Sequence, residues 1–504
     1  MRLSYPLIVL ALLPAFRCEA AQDVGIRSML VGTQILEVGD NRQITLKSDG
    51  AVTGAEISPD GRYLVYGVDS NGRLELRLTK SVGGATATLM DAPLDYDAPP
   101  MPPPPGGETW ELDADTDVCW SPDSSRFAFR AIHRAWDGDQ VAEKRYIVVF
   151  AARGSFLKSI PAPDGSVSAM VFGPDSRTLY VGARLADRDN AESGLRTRTV
   201  GIQSIDTTTG TVQTVYSCDA HDIWILGLCD GGRSMLCTIL AKAGRHLRKV
   251  ALDGSAEDVA GDPIEPGRCS PDCALAAVGD TGISMRNMAT QEKTVLIADP
   301  QVQFVRWSQD GKMLLYRQSE KVTDAANQRS EQPNSLWLSL TKPGKLNNMC
   351  IALDYEGDPS CSRECRKIAY VSQGQLYVAE LSMREPTVPE KLAAGLPLTE
   401  DETKQVLATN GKQIALGMLM YSADNDGSLP PADSLAGALY AYLRDKNVFL
   451  RPGSQDNAFT YLDPGANKWS DIERPSETPI GQLDAGFRWV VVIYADGHVS
   501  IVPR

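Results

Sequence analysis

The sequence predicts an all-β propeller of about seven four-stranded blades, followed by a small α+β C-terminal domain. Three observations carry that prediction. A short turn-and-strand phrase recurs between about residues 30 and 390. Its copies are spaced like blades plus insertions. The phrase stops near residue 395, where helix-period patterning begins.

The copies are ISPDGRYLVYG (57), WSPDSSRFAFR (120), FGPDSRTLYVG (172), CSPDCALAAVG (269), WSQDGKMLLYR (307) and CSRECRKIAYV (361), with a degenerate CDGGRSMLCTI at 229. Neighbouring copies, the degenerate one included, are about 38 to 63 residues apart. Each phrase is a turn. Proline suits the second position of a type I turn, aspartate the first or third, and glycine the fourth. The turn residues are Pro59, Asp60 and Gly61; Pro122 and Asp123; Pro174 and Asp175; Pro271 and Asp272; Asp310 and Gly311. The strand that follows does not alternate: Leu64, Val65 and Tyr66 are consecutive. Such a run suits a strand buried on both faces, as when small sheets stack face to face around an axis. Stacking of that kind leaves only short, protected edges. The early run near 33–39 is expected to pair with late strands near 374–381 and so complete the circle.

Two insertions interrupt the phrase. DAPLDYDAPPMPPPPGG (91–107) is proline-dense and predicts an extended, polyproline-like surface segment, either a plain connection or a docking strip. KVTDAANQRSEQPNS (321–335) is polar and predicts a solvated loop.

These turns resemble the TolB-like, WD-repeat-like class of β-propeller repeats, whose mark is a W-S-P-D-G turn before a strand. The resemblance spans about residues 30–390. It implies a propeller whose ring face serves for binding.

In two copies a cysteine replaces the residue before the turn and another follows four residues on, giving Cys269/Cys273 and Cys361/Cys365. Cys229 and Cys237 flank the degenerate copy. Three readings stand open: disulfides across each turn, buried thiols in other pairings, or a four-cysteine zinc site. A bond across so short a loop adds little through chain entropy. The spacing is loose for zinc, and no histidine supports it. Nine cysteines follow residue 20, so at least one is free or paired in trans.

The first twenty residues read as a secretory signal peptide. Arg2 precedes the apolar run YPLIVLALLPAF (5–16), and CEA (18–20) supplies small residues before a cut near Ala20. Arg17 directly before Cys18 speaks against lipidation at that cysteine. No later segment reaches 18 apolar residues, so the mature chain is expected to have no transmembrane helix. The expected location is the periplasm, the cell surface or the medium, where disulfides are permitted.

Composition narrows the partners. At 43% hydrophobic and 23% charged residues the chain is not a disordered polymer. A net charge of −14 argues against nucleic acid and against an anionic membrane surface. A protein partner in the envelope or outside the cell is therefore expected.

The C-terminal segment is a different object. A linker at 391–398 is expected to lead into a domain over 399–504. Thr399 with Glu402 three residues on forms a capping box, and Leu407, Ile414, Met418 and Tyr421 recur at helical spacing. A second helix is expected over 433–445, with Leu435, Leu439 and Tyr442 on one stripe. Asp496-Gly497 between two β-rich runs signals a hairpin that continues into His498.

This segment resembles the soluble part of pseudopilin-like proteins of the type II secretion class, in the bacterial family whose subunits end in an Asp-Gly-His hairpin. The matching pieces are KQIALGMLMYSADNDGSLPP (412–431), NVFLRPGS (447–454), SDIERPSET (470–478) and YADGHV (494–499). The resemblance implies a helix with a small antiparallel sheet packed on it. The family's apolar half-helix and prepilin cleavage site are missing, so filament assembly through that helix is not expected. Gly486 and Arg451 replace the family's usual histidine and cysteine.

An EF-hand-like calcium loop would lie at 422–433. Asp424, Asp426 and Asp433 fall at the third, fifth and twelfth EF-hand positions, with Gly427 at the sixth. Ser422 stands where an aspartate is needed, and Pro430-Pro431 stiffens the second half. A helix-ending acidic turn is the preferred reading. His498 has no nearby His or Cys and reads as a hairpin residue.

No catalytic motif appears: no G-x-S-x-G, no H-E-x-x-H, no phosphate loop and no nicotinamide fingerprint. His133, His221 and His246 lie in different repeats; their convergence with acids in a central channel would favour a propeller lyase or hydrolase. The expectation is an exported, non-catalytic binding or scaffold protein with no required cofactor. The alternatives are a propeller-based polysaccharide lyase or hydrolase, or an accessory subunit of a secretion or pilus-like assembly.

Overall fold

A computed structural model describes residues 27–504 apart from 71–72, 94–107, 114–116, 138–139, 163–166, 190–195, 280–281, 320, 324–328, 332–333, 343–346 and 444. The expected signal peptide (1–20) and most of the proline-rich insertion lie outside the described residues. The chain divides into two compact units, Met1–Val31 with Ile35–Arg384 and Gly32–Gln34 with Glu385–Arg504.

The first unit is built of small antiparallel sheets that follow one another along the chain. Ala51–Ile57, Tyr63–Ser70, Arg73–Lys80 and Ala87–Pro93 form the first. The second runs from Glu108–Leu112 and Cys119–Trp120 through Arg126–Asp137 and Gln140–Ala151 to Phe156–Pro161. The third comprises Val167–Phe172, Thr178–Asp189, Arg196–Asp206 and Val212–Asp219. The fourth comprises Asp222–Cys229, Ser234–Ala241, Gly244–Ala251 and Ala256–Val259. A three-stranded sheet follows (Leu275–Val278, Ile283–Asn287, Lys293–Ile297), extended by a bridge from Cys269 to Ala276.

The last sheet has eight strands. Its long strand Asn348–Cys361 pairs with Asn334–Leu340 at one end and Lys367–Ser372 at the other. Beyond Lys367–Ser372 lies Gln375–Arg384, and on that strand the early Gln34–Gln43 is paired antiparallel, Leu36 opposite Met383 and Arg42 opposite Val378. The segment 321–335, expected as a loop, contains a short hairpin of Lys321–Thr323 on Arg329–Glu331. Its β-branched Val322 and Thr323 suit a strand even where polar neighbours dominate.

Adjacent sheets share their apolar faces. Val65, Leu76 and Leu78 of the first pack with Phe127, Phe129 and Val148 of the second. Ala128, Ile147 and Val149 then pack with Phe172, Leu179 and Val181 of the third. The first sheet's other face meets Ala369, Val371, Leu376 and Val378 of the last. A central strand buried on both sides explains the unbroken apolar runs in the sequence.

In the second unit, helix α1 (Val388–Ala394) occupies the start of the segment expected as a linker. Thr387 and Glu390 form its capping box, with proline in its first turn. Helix α2 (Glu400–Asp424) begins at Thr399, whose hydroxyl accepts from the Glu402 N–H while the Glu402 carboxylate accepts from the Thr399 N–H at 2.8 Å. Helix α3 (Leu435–Leu439) covers only part of the expected 433–445. Gly437 at its centre weakens a longer helix.

The strands Phe459–Tyr461, Pro479–Leu483, Trp489–Tyr494 and Val499–Pro503 form one antiparallel sheet. Leu407, Ile414 and Met418 of α2 bury against its Ile480, Leu483, Val491 and Ile493. At the last hairpin the Gly497 N–H donates to the Tyr494 carbonyl, and Gly497 takes a φ of +89° that favours glycine. No helix among the described residues is long and apolar enough to cross a membrane.

Candidate functional site

Each repeat turn is built alike. In the first, the Gly61 N–H donates to the Ser58 carbonyl at 2.8 Å, and the Ser58 hydroxyl donates to Asp60 Oδ1 at 2.7 Å. Ser121 with Asp123, Ser270 with Asp272 and Ser308 with Asp310 repeat the side-chain bond at 2.6–2.7 Å. The fourth turn position is left-handed throughout: Gly61, Ser124, Ser176, Cys273, Gly311 and Cys365 all have φ between +51° and +71°. The aspartate thus ties down the turn and stops its serine from competing for other partners.

The turns also touch one another. The Asp60 N–H donates to Ser124 Oγ, and the Asp123 N–H donates to Ser176 Oγ. Arg363 donates its N–H to the Pro59 carbonyl, and the Asp310 N–H donates to the Arg363 carbonyl. The serines of the second and third copies stand where glycine was expected, and their hydroxyls serve the preceding turn.

A cavity of about 840 Å³ opens where these turns meet. Its lining takes Pro59, Pro122, Pro174, Gly232, Pro271, Asp310 and Arg363, one residue or more from every copy of the phrase. Glu56, Asp117, Asp272 and Asp310 bring four carboxylates to it, against the guanidiniums of Arg306 and Arg363. Glu56 and Arg306 form a two-pronged ion pair, 2.7 Å and 2.6 Å. Burial works against the Arg306 charge, but the Glu56 carboxylate more than offsets it and holds the guanidinium proton more tightly than usual. Ser360 donates to the same carboxylate at 2.8 Å and accepts from the Ile57 N–H at 3.1 Å. This junction joins strands from three separate repeats. Sequence spacing gave no sign of it.

The Trp120 indole N–H lies in the cavity wall without a hydrogen-bond partner, whereas Trp307, at the same repeat position, donates to the Arg268 carbonyl at 2.9 Å.

The histidines do not meet. His133 packs on Trp110 at 4.7 Å and faces Glu108 at 3.5 Å. His221 and His246 stand on other strands or turns, and none of the three lines the cavity. His498 lies in the second unit, its Nδ1 2.5 Å from Asp496 Oδ1 and its ring stacked on Tyr494 at 4.2 Å. Hydrogen bonds from the His498 N–H and ring hold the Asp496 carboxyl below its usual range.

Among the described residues no group of three or more His, Cys, Asp or Glu side chains is placed to hold a metal ion. Asp424, Asp426 and Asp433 are not brought into such a group. Asp426 and Gly427 instead take left-handed conformations just after α2 ends, as a helix-ending turn does.

All nine described cysteines are free thiols. The turn pairs are in contact: Cys269 with Cys273, and Cys361 with Cys365. Cys229 and Cys237 are not partnered, because the strand register sets Cys229 opposite Ser234 and Cys237 opposite Ile225. Cys229 instead meets Cys273 of the next sheet. Burial pushes the thiol of Cys119, another cavity residue, up to about 12.

No protein-family model and no curated protein matches the sequence. Among solved structures the chain is similar to TolB from Acinetobacter baumannii, with a TM-score of 0.33 and 13% identity over 68% of this chain and 67% of that one. It is similar to an oligogalacturonate lyase from Vibrio parahaemolyticus, with a TM-score of 0.44 and 13% identity over 70% and 98%. It is also similar to the C-terminal WD40 domain of Sif2, with a TM-score of 0.38 and 14% identity over 69% and 99%.

Proposed function

We propose that this chain is an exported binding protein: a seven-bladed propeller, with a pseudopilin-like headpiece, that captures a protein partner on the face where its repeat turns converge. The observation that carries the reading is the shared cavity, to which every copy of the phrase contributes. A surface to which every repeat contributes at least one residue is a recognition surface rather than a by-product of any single loop. Seven copies, the pairing of Gln34–Gln43 with Gln375–Arg384, and the contact of Arg363 with Pro59 support a closed ring. The signal-peptide pattern of residues 1–20 supports export. The ordered motifs and the helix-on-sheet arrangement support the headpiece reading.

The chemistry of the face favours a basic partner. Four carboxylates face two guanidiniums in the cavity, and Asp60, Asp123 and Asp175 stand on the turns around it. Such a face steers a positively charged surface and rejects acidic ones. The scattering of the histidines supports binding rather than metal-assisted lysis.

The test is capture from envelope extracts by the full mature chain, compared with a Gln309→Trp/Asp117→Lys variant of the cavity lining, which blocks the space and reverses one of its carboxylates. A partner retained by the wild type, lost by the variant and released by about 0.5 M salt is expected. Equal capture by both chains would move the binding surface elsewhere.

A further inference from the structure

Cys229, Cys269 and Cys273 come from two sheets yet share one apolar cluster with Leu226, Leu236 and Met288. The Cys273 thiol is hydrogen-bonded to both Cys229 and Cys269. Cys269 passes the chain on, donating to the Leu275 carbonyl at 3.5 Å. Gly227 leaves the room: a Cβ there would stand 3.0 Å from Cys273 Sγ. Cys273 is held in place by its turn, its N–H donating to the Ser270 carbonyl at 2.8 Å. The equivalent pair Cys361/Cys365 has no third thiol in its apolar cluster. The trio is not arranged to hold a metal ion, which leaves thiol–disulfide chemistry.

We propose that Cys229 and Cys273 are the site of a redox-controlled disulfide across the seam between these two sheets, with Cys269 as its relay thiol. Cys269 is the one of the three that lines the cavity, and although it is buried the relay gives it the first contact with a small disulfide, such as oxidised glutathione, that enters there. Cys269 Sγ attacks that disulfide, forms a mixed disulfide and releases one glutathione thiol. Cys273 Sγ attacks Cys269 Sγ and releases the second. Cys229 Sγ then attacks Cys273 Sγ, and Cys269 leaves as a thiol. Each attacking thiol gives its proton to water and each leaving thiolate takes one back. The net change is two protein thiols and one glutathione disulfide to one protein disulfide and two glutathione thiols.

Two consequences follow from the surroundings. The hydrogen bond to Cys273, and then burial, hold the Cys229 thiol well above its ordinary range. At Cys273 the bond from Cys229 acts downward, and the contact with Cys269 together with burial outweighs it. Few thiolates of Cys229 and Cys273 are present at neutral pH, so closure of the bond between them is slow there and quickens as pH rises. Once made, the bond closes a loop far longer than the in-turn pair would, and stabilises correspondingly more.

The test treats the folded mature chain with oxidised glutathione, alkylates remaining thiols, and maps tryptic peptides with fragmentation that separates Cys218 from Cys229 and Cys269 from Cys273. A Cys229–Cys273 link is expected, with a thermal midpoint raised by about 5 °C relative to the dithiothreitol-treated protein. Cys269→Ser should keep the link and slow its formation about tenfold or more. Recovery of Cys229 as a free thiol, or of Cys273 linked only to Cys269, overturns the proposal. The bond needs no partner protein, so this result stands apart from the capture experiment.

Discussion

The backbone N–H of Arg363 donates to the carbonyl of Pro59 at 2.9 Å, joining the last repeat turn to the first. Beside that bond, Ser360 reaches across the same seam to Glu56 and Ile57. One hydroxyl therefore serves a carboxylate and a backbone N–H from the far end of the repeat region. Ser360 is 1% exposed, so water does not replace it. Ser360→Ala leaves the Ile57 N–H unpaired and should cost about 2 kcal/mol, the usual penalty for an orphaned buried donor. Urea unfolding of the two proteins measures it, and an unchanged midpoint would remove Ser360 from the seam's account.

The Glu56–Arg306 pair is a different case, because both side chains keep some contact with the cavity, 26% and 34% exposed. Partial exposure screens the charges and lowers their worth. Two parallel hydrogen bonds and the added Ser360 donor raise it. Arg306→Met should destabilise by about 1–2 kcal/mol. Adding Glu56→Gln should recover part of that loss, since the stranded carboxylate is then gone. A double-mutant cycle in urea reads the coupling; strictly additive losses would mean the two groups do not act together.

The turn aspartates make the first unit acid-sensitive. Burial alone would raise Asp123, but the Ser125 N–H and the serine hydroxyls around it bring it below the usual carboxylate range. Asp175 behaves likewise: burial is outweighed by the Thr178 hydroxyl and N–H, then by Arg177. A depressed carboxyl stabilises the fold above its unfolded value, about pH 3.9, and that contribution fades as pH falls through the folded value. Stability should therefore drop between about pH 4 and pH 2, and an Asp123→Asn/Asp175→Asn chain should show a shallower drop. Thermal midpoints across that window test it; parallel curves would assign the acid loss to other groups.

The recurring turn was legible because its chemistry is local: Ser58, Pro59, Asp60 and Gly61 are consecutive, and their bonds lie within five residues. So was the capping box at Thr399, and so were the β-rich runs that pair as Gln34–Gln43 and Gln375–Arg384. What spacing alone concealed is whatever the stacking of sheets brings together. Glu56, Arg306 and Ser360 stand far apart in sequence, and only the order of sheets sets them side by side. Cys229 meets Cys273 for the same reason, whereas sequence proximity pointed to Cys237. Helix α1 differs from the expected linker although Thr387, Pro389 and Glu390 spell a helix start, because the pattern ends within two turns at Gly395.

The second unit depends on the contact between α2 and its sheet. Ile414 is fully buried there, in one cluster with Ile480, Val491 and Ile493. Ile414→Ala should cost about 3 kcal/mol, from lost apolar burial and the cavity left behind. Amide hydrogen exchange should quicken along α2 and in Trp489–Tyr494, with the strands of the first unit unaffected. Uniform quickening over the whole chain would contradict the division at Arg384/Glu385.

The degenerate repeat offers a matched pair of glycines. Gly231 and Gly232 both have positive φ, +67° and +86°. A side chain at either is strained by about 1 kcal/mol, because Cβ crowds the carbonyl in the left-handed region. Their surroundings differ. A Cβ on Gly231 would meet nothing within 4 Å, whereas one on Gly232 would stand 2.6 Å from Pro174 Cγ and 2.8 Å from Pro174 Cδ. The proline ring is rigid and belongs to the neighbouring repeat turn, so it yields only if that turn moves. Gly231→Ala should cost about 1 kcal/mol and Gly232→Ala about 3 kcal/mol, the difference being the displaced turn. Chemical denaturation of the two variants measures the gap. If the degenerate copy were not seated beside its neighbour as the other turns are, the two substitutions would cost the same.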